Sequence, residues 1–326
     1  MGKNRGLIKA KNEKNDEFYT QYEDIEAELS HYKEFLKGKV IYLPCDNPYQ
    51  SQFVAYLIDH FNDFGLKRLI ATCYDDAFSQ LSLFEDYDES GQVIEKEKQA
   101  YKLIIERVRG DPKLESVLEL EGNSLTILKE NGDFGSQECI EIMKSADVVI
   151  TNPPFSLFRV LIRLLRNLEK DFILLGASQA ITYTECFQLF QNGQLHLGVT
   201  PFSSALNFEV PAGNVYEIEI KGKFYKQVPV SWLTSFQVER EIRPLRLTQV
   251  YNLHDYPTLD NNEDIINVDK NADIPKDYLG KMAVPITYLA YWDKKRYSLL
   301  GKVDKGFVSG NEKFTRFIIQ KIRKGI

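Results

Sequence analysis

The tetrapeptide Asn152-Pro153-Pro154-Phe155 contains the residues of this chain best suited to chemistry. An aromatic exocyclic amine is a poor nucleophile because its lone pair is delocalised into the ring. Two hydrogen-bond acceptors, one on each N–H, draw such a nitrogen toward tetrahedral geometry and free the lone pair toward an electrophilic methyl group. The Asn152 side-chain oxygen and the Pro153 carbonyl form such a pair, matched to the two N–H donors of adenine N6. Consecutive prolines fix φ and stiffen the turn, which keeps both acceptors in one orientation. Phe155 adds a flat apolar face on which a base taken out of its stack can rest. The gain comes from orientation, and no covalent intermediate is needed. A rigid strand-to-helix turn without chemistry is the alternative explanation of the two prolines, but four specified residues in this setting are rare by chance.

The motif needs a strand to present it. Residues 146–151 (A-D-V-V-I-T) are short, apolar and β-branched, and they run directly into Asn152. Prolines cannot continue the ladder of a central strand, so Asn152 is expected where that strand leaves the sheet. A strongly apolar helix from Leu157 to Leu168 follows. Upstream, the spacing predicts a helix from Glu23 to Phe35, a strand at V40-I-Y-L-P44 and the loop C45-D-N-P-Y-Q50. A helix on Phe53, Tyr56, Leu57 and Phe61 comes next, then a strand at R68-L-I-A-T-C73 followed by Asp75 and Asp76. Residues 76–112 read as an elaborated connection with a helix from Ile94 to Arg109. Strands are expected at 116–120 and 124–128, a helix near 137–144, and a strand at D171-F-I-L-L-G176. The alternation predicts an α/β fold, a doubly wound and mostly parallel sheet that binds ligands beyond the carboxyl ends of its strands. The shorter runs L206-N-F-E-V210, V215-Y-E-I-E-I220 and V228-P-V-S-W-L233 predict antiparallel additions to its edge.

A chain of 326 residues with 43% apolar and 27% charged residues suits one large domain, or one with a smaller appendage. No run approaches the ~18 apolar residues of a membrane span. The lysine-rich start lacks an apolar segment and is not a secretory signal, so cytoplasmic residence is expected. Cysteines 45, 73, 139 and 186 form no C-x-x-C pair and the four histidines are scattered, so no metal is expected. The net charge of −6 hides an asymmetry: residues 214–326 carry 19 Lys and Arg against 14 Asp and Glu, and the remainder 22 against 33. An acidic catalytic portion, 1–236, joined to a basic DNA-contacting portion, 237–326, fits that distribution. Within the latter, Arg240, Arg243, Arg246 and Lys294-Lys295-Arg296 are candidates for phosphate contacts.

With D16-E-F-Y-T-Q21, V40-I-Y-L-P-C-D46 and N152-P-P-F155, the chain resembles the EcoRI-type adenine-specific DNA methylases. The resemblance spans most of residues 10–300 and implies a methyltransferase-type fold with S-adenosylmethionine as cofactor. It further implies double-stranded DNA as substrate and a possible cognate restriction endonuclease as partner, and a monomer acting on one strand at a time is expected. It puts Phe18, Tyr19 and Thr20 beside the methionine end of the cofactor, and Cys45 and Asp46 in the cofactor loop. That loop lacks the glycines most methyltransferases carry there. Asp75 stands where an acidic residue accepts ribose hydroxyls, with a solvated turn aspartate as the alternative. Gly132-Asp133-Phe134 resembles the segment whose Asp accepts from the cofactor's adenine amine and whose Phe packs on the ring. Methylation of cytosine N4, RNA adenine or a glutamine amide would use the same acceptor pair. A silent DNA-binding descendant would be expected to lose Asn152 first.

Overall fold

The structure, a computed structural model, describes residues 20–73, 100–210, 218–220, 222–304, 306–308 and 310–322. The chain divides into two compact units. The first contains the residues up to Ala177 together with His196–Thr200 and Ser204–Val238.

In this unit helix α1 (Tyr22–Leu29), a 3-10 turn (Ser30–Tyr32) and the short α2 (Lys33–Leu36) lead to strand β1 (Val40–Leu43). Helix α3 (Gln52–Asp59) and strand β2 (Arg68–Thr72) follow, then β3 (Tyr101–Ile105), α4 (Leu114–Leu118) and β4 (Ser124–Ile127). Next come α5 (Gln137–Ser145), β5 (Val148–Thr151), α6 (Phe158–Asn167) and β6 (Asp171–Ala177). Strands β7 (His196–Leu197), β8 (Ser204–Val210), β9 (Ile218–Ile220) and β10 (Lys223–Thr234) complete it.

The sheet has the order β4-β3-β2-β1-β5-β6-β10-β7, with β8 and β9 on the far part of β10. Its centre, β2-β1-β5-β6, is parallel. Every residue of β1 and β5 is buried, as expected of central parallel strands covered on both faces. Ile41, Leu43, Val148, Ile150, Ile173 and Leu175 join one core with α1, α2 and α3. Helix α6 buries Phe158, Leu161, Ile162 and Leu165, the spacing of one helical face. It approaches β6 closely: a Cβ on Gly176 would lie 2.4 Å from the Phe158 ring, so only glycine fits there.

The antiparallel additions occur as expected on the β6 side, where β10 pairs with β6 and β8 with β10. Two elements differ from the sequence reading. The helix expected over 94–109 is strand β3 in its described part, antiparallel to β2. Leu103 and Ile105 alternate into the core, and this period of two overrides the helix-favouring charged residues before it. The strand expected at 116–120 is instead helix α4, because Leu114, Val117 and Leu118 reach the core at helical spacing.

The second unit comprises Ser178–Leu195, Pro201–Ser203 and the residues from Glu239 onward. Its sheet runs in the order β11 (Thr258–Leu259), β12 (Asn262–Asn267), β13 (Lys281–Pro285), β17 (Arg316–Lys321), β14 (Tyr297–Val303). A hairpin of β15 (Gly306–Val308) and β16 (Asn311–Lys313) lies between β14 and β17 in the chain. Helix α7 (Thr184–Gln191) packs within this unit, with Phe187 stacked on Phe317 at 5.4 Å. Among the described residues no helix is long and apolar enough to cross a membrane.

Candidate active site

Strand β1 has β2 on one side and β5 on the other, so the chain reverses direction of winding at β1/β5. Ligands of open α/β sheets bind in the crevice beyond the strand ends at such a switch point. Three loops converge on this edge.

The loop after β1 runs alongside β2, with the Asp46 N–H donating to the Thr72 carbonyl at 3.0 Å. Asp46 is buried and accepts from Ser51 Oγ at 2.6 Å and from Thr151 Oγ1 at 2.8 Å. Ser51 also caps α3, accepting from the Phe53 and Val54 N–H groups. One carboxyl therefore joins the end of β1, the start of α3 and the last residue of β5. The loop after β5 starts with Asn152, whose Nδ2 donates to Thr20 Oγ1 at 3.1 Å. Pro153 is buried, and Phe155 is half-buried and packs against the main core. The third loop, 131–136, is pressed onto the end of β2. Gly132 has φ +76°, and a Cβ there would lie 2.1 Å from the Cys73 carbonyl oxygen, so glycine alone allows the approach.

Burial pushes the Asp46 carboxyl up to about 6, against the opposing pull of the Ser51 and Thr151 donors. Its ordinary value is 3.8. The folded chain thus favours the protonated form, and the contribution is fully present below about pH 4 and lost as pH rises through about 6. Two pKa units correspond to about 3 kcal/mol. Urea unfolding of the unaltered protein and Asp46→Asn at pH 4 and pH 7.5 is expected to show the variant gaining by about that amount at the higher pH. A stability difference independent of pH would remove this account of Asp46.

Of the residues expected at the site, Thr20 meets Asn152, and Asp46 is bonded to the residue preceding it. Cys45 is half-buried in the β1 loop. Asp133 is exposed, with Oδ1 accepting from the Gly135 N–H at 2.7 Å, while Phe134 beside it is buried. Phe18, Tyr19 and Asp75 lie outside the described residues. Sequence reading passed over Ser51, Thr151, Asn47 and Gln50. Ser51 was findable as a cap immediately before an apolar helical run. Among the described residues, Asn47 Nδ2 and Gln50 Oε1 are buried and lack hydrogen-bond partners, which no sequence pattern announces.

In the second unit Arg240 donates to the Leu289 carbonyl at 2.9 Å, a structural task. Arg243, Arg246, Lys294, Lys295 and Arg296 are exposed. Pro244, Leu245 and Leu247 line one small cleft with Tyr291, Asp293 and Arg296, so the two basic segments are neighbours.

A doubly wound sheet with an N-P-P-F turn at its switch point defines a methyltransferase of the kind that modifies amino nitrogens. The family model for the adenine-specific methyltransferase EcoRI matches residues 6–324. The chain belongs to that family and is an adenine-specific DNA methyltransferase. It is 36% identical over 334 residues to the type II methyltransferase M.EcoRI of Escherichia coli, covering 98% of this chain and 97% of that protein. With M.MpnI of Mycoplasma pneumoniae it shares 34% identity over 302 residues, 90% of this chain and 84% of the other. M.MgeORF184P of Mycoplasma genitalium is 29% identical over 345 residues, 96% and 98% of the two chains. No solved structure matches the chain.

Proposed function

We propose that this chain transfers a methyl group from S-adenosylmethionine to N6 of an adenine flipped out of double-stranded DNA. The observation that supports this most directly is the Asn152 amide tethered through Nδ2 at the switch point. Its Oδ1 and the Pro153 carbonyl would accept the two N6–H groups, and Phe155 would support the base. Asn152 is the catalytic residue in this reading, and Pro154 holds the turn.

The methyl donor fits the residues of the β1 loop. Asn47 Nδ2 is a donor and Gln50 Oε1 an acceptor, both buried. A zwitterion bearing a carboxylate, an ammonium and hydroxyls would satisfy both, and leaving them unmet costs on the order of 1–3 kcal/mol each. Asp46 and Cys45 shape the same loop, and Asp133 and Phe134 would meet the adenine end. Phe18, Tyr19 and Asp75 stay assigned to the donor by family resemblance. When bound, S-adenosylmethionine supplies an electrophilic sulfonium methyl. Asn47→Ala is expected to weaken its binding about tenfold with little change in kcat at saturation. Isothermal titration together with saturation kinetics checks both halves; unaltered affinity would remove Asn47 from the donor site.

Target contact is assigned to residues 237–326, with Arg243, Arg246 and Lys294–Arg296 toward phosphates. The protein would act as a cytoplasmic monomer, its mark blocking a cognate restriction endonuclease. The deciding experiment is transfer of labelled methyl from S-adenosylmethionine to unmethylated genomic DNA, followed by nucleoside analysis. N6-methyladenine is the expected product. Label in cytosine, RNA or protein would overturn the substrate assignment.

A further inference from the structure

We propose that Thr20 is a positioning residue on the acceptor side of the reaction: by receiving Nδ2 of Asn152 it holds that amide in the rotamer and plane that leave Oδ1 to face the base. The inference rests on Asn152 being the acceptor for N6. Thr20 is buried at 5% exposure, and its Oγ1 is 3.1 Å from Asn152 Nδ2. The two poles of a primary amide are nearly equal in size, so rotation by about 180° at the end of the side chain exchanges donor for acceptor at little steric cost. The exchange would ruin the site. N6 offers two N–H donors, and an NH₂ group turned toward them has no lone pair with which to accept either. In the observed arrangement Thr20 holds the nitrogen, so Oδ1 is the pole turned away from it.

The residue before Asn152 is secured in the same fashion, with Thr151 Oγ1 donating to Asp46 Oδ2 at 2.8 Å. Successive residues of the turn are thus fastened to two different segments, Thr151 to the loop after β1 and Asn152 to the chain before α1. Both segments resemble cofactor-binding segments. The acceptor geometry and the donor site therefore share their fastenings, and Thr20 has a task distinct from contacting the cofactor.

Thr20→Val keeps the side-chain shape and removes the hydroxyl, whereas Thr20→Ser keeps the hydroxyl. The full-length proteins are compared for kcat on DNA at saturating S-adenosylmethionine, for cofactor Kd by titration, and for thermal midpoint. Thr20→Val is expected to lower kcat at saturating S-adenosylmethionine on the order of tenfold, a loss larger than any change in cofactor Kd, with the midpoint little changed. Thr20→Ser is expected to recover most of that loss. Normal kcat in Thr20→Val, or a loss confined to cofactor affinity, overturns the inference. So does an equal loss in both variants that follows the thermal midpoint. Absence of N6-methyladenine with the unaltered chain overturns the proposed reaction and this inference together.

Discussion

Asn152→Ala is expected to lower kcat for adenine methylation by about 10³-fold or more, with the fold intact. The magnitude follows from removing a preorganised group that acts where charge changes in the transition state, an effect of roughly 10²–10³ in comparable sites. In the proposed reaction the loss exceeds one hydrogen bond, because Asn152 would both bring N6 toward tetrahedral geometry and hold it. Stability changes little for a local reason. Asn152 is only half-buried, and its bond to the Thr20 hydroxyl is worth about 1 kcal/mol. Asn152→Asp makes a useful companion, since a carboxylate keeps the acceptor and removes the Nδ2 donor. It is expected to keep more activity than the alanine variant. Methyl transfer to DNA, cofactor affinity and circular dichroism on the same preparations separate catalysis from folding. Undiminished turnover by Asn152→Ala would dispose of the proposed mechanism.

The largest expected loss of stability lies in a residue with no chemistry of its own. Glu28 is fully buried on α1 and receives three donors: Tyr32 Oη at 2.8 Å, the Val199 N–H at 2.8 Å and the Thr200 N–H at 2.7 Å. It fastens the helix that begins two residues after Thr20 to the segment following β7. The approach is close, since a Cβ on Gly198 would lie 2.1 Å from Glu28 Oε1. Burial together with the Glu28 contact raises the Tyr32 hydroxyl far above its usual range, so it stays a donor at any working pH. Glu28→Ala orphans two backbone N–H groups and one hydroxyl and opens a cavity, and about 3–5 kcal/mol of stability should be lost. Glu28→Gln should lose less, because it removes only one acceptor position and places an amide donor against an N–H. Urea unfolding monitored at two wavelengths measures both. A loss below about 0.5 kcal/mol in Glu28→Ala would show that the three bonds are replaced by water.

Thr20 bonds Asn152 and lies two residues before α1, the helix that Glu28 fastens. Loosening α1 through Glu28 should also relax the tether on Asn152, so the residual activity of a folded Glu28→Gln protein ought to resemble that of Thr20→Val more than that of a cofactor-site variant.

Much of the catalytic unit was readable because its signals are local. The central strands β1, β2, β5 and β6 are short apolar runs ending in polar loops, a pattern that burial on both faces demands. The N-P-P-F turn declares its own place, since two residues without N–H groups cannot sit inside a ladder. Even α6 was evident, as a strongly apolar run directly after the turn, and the structure buries one face of it. The misread elements were those in which propensity and packing disagreed. Charged helix formers before Tyr101 suggested a helix, yet Leu103 and Ile105 were drawn into the core from a strand paired on both sides. A strand was expected at 116–120, while Leu114, Val117 and Leu118 had a helix face to fill.

Reaction class, the N-P-P-F turn and the parallel core were thus set by residue types within a few positions of one another. The partners of those residues were decided by the tertiary fold alone. Thr20 and Asn152 are separated by 132 positions and Asp46 and Thr151 by 105, and nothing in either neighbourhood names the other. Winding the chain about β1 brings them to one sheet edge, where burial removes water as a partner and obliges each polar group to find another.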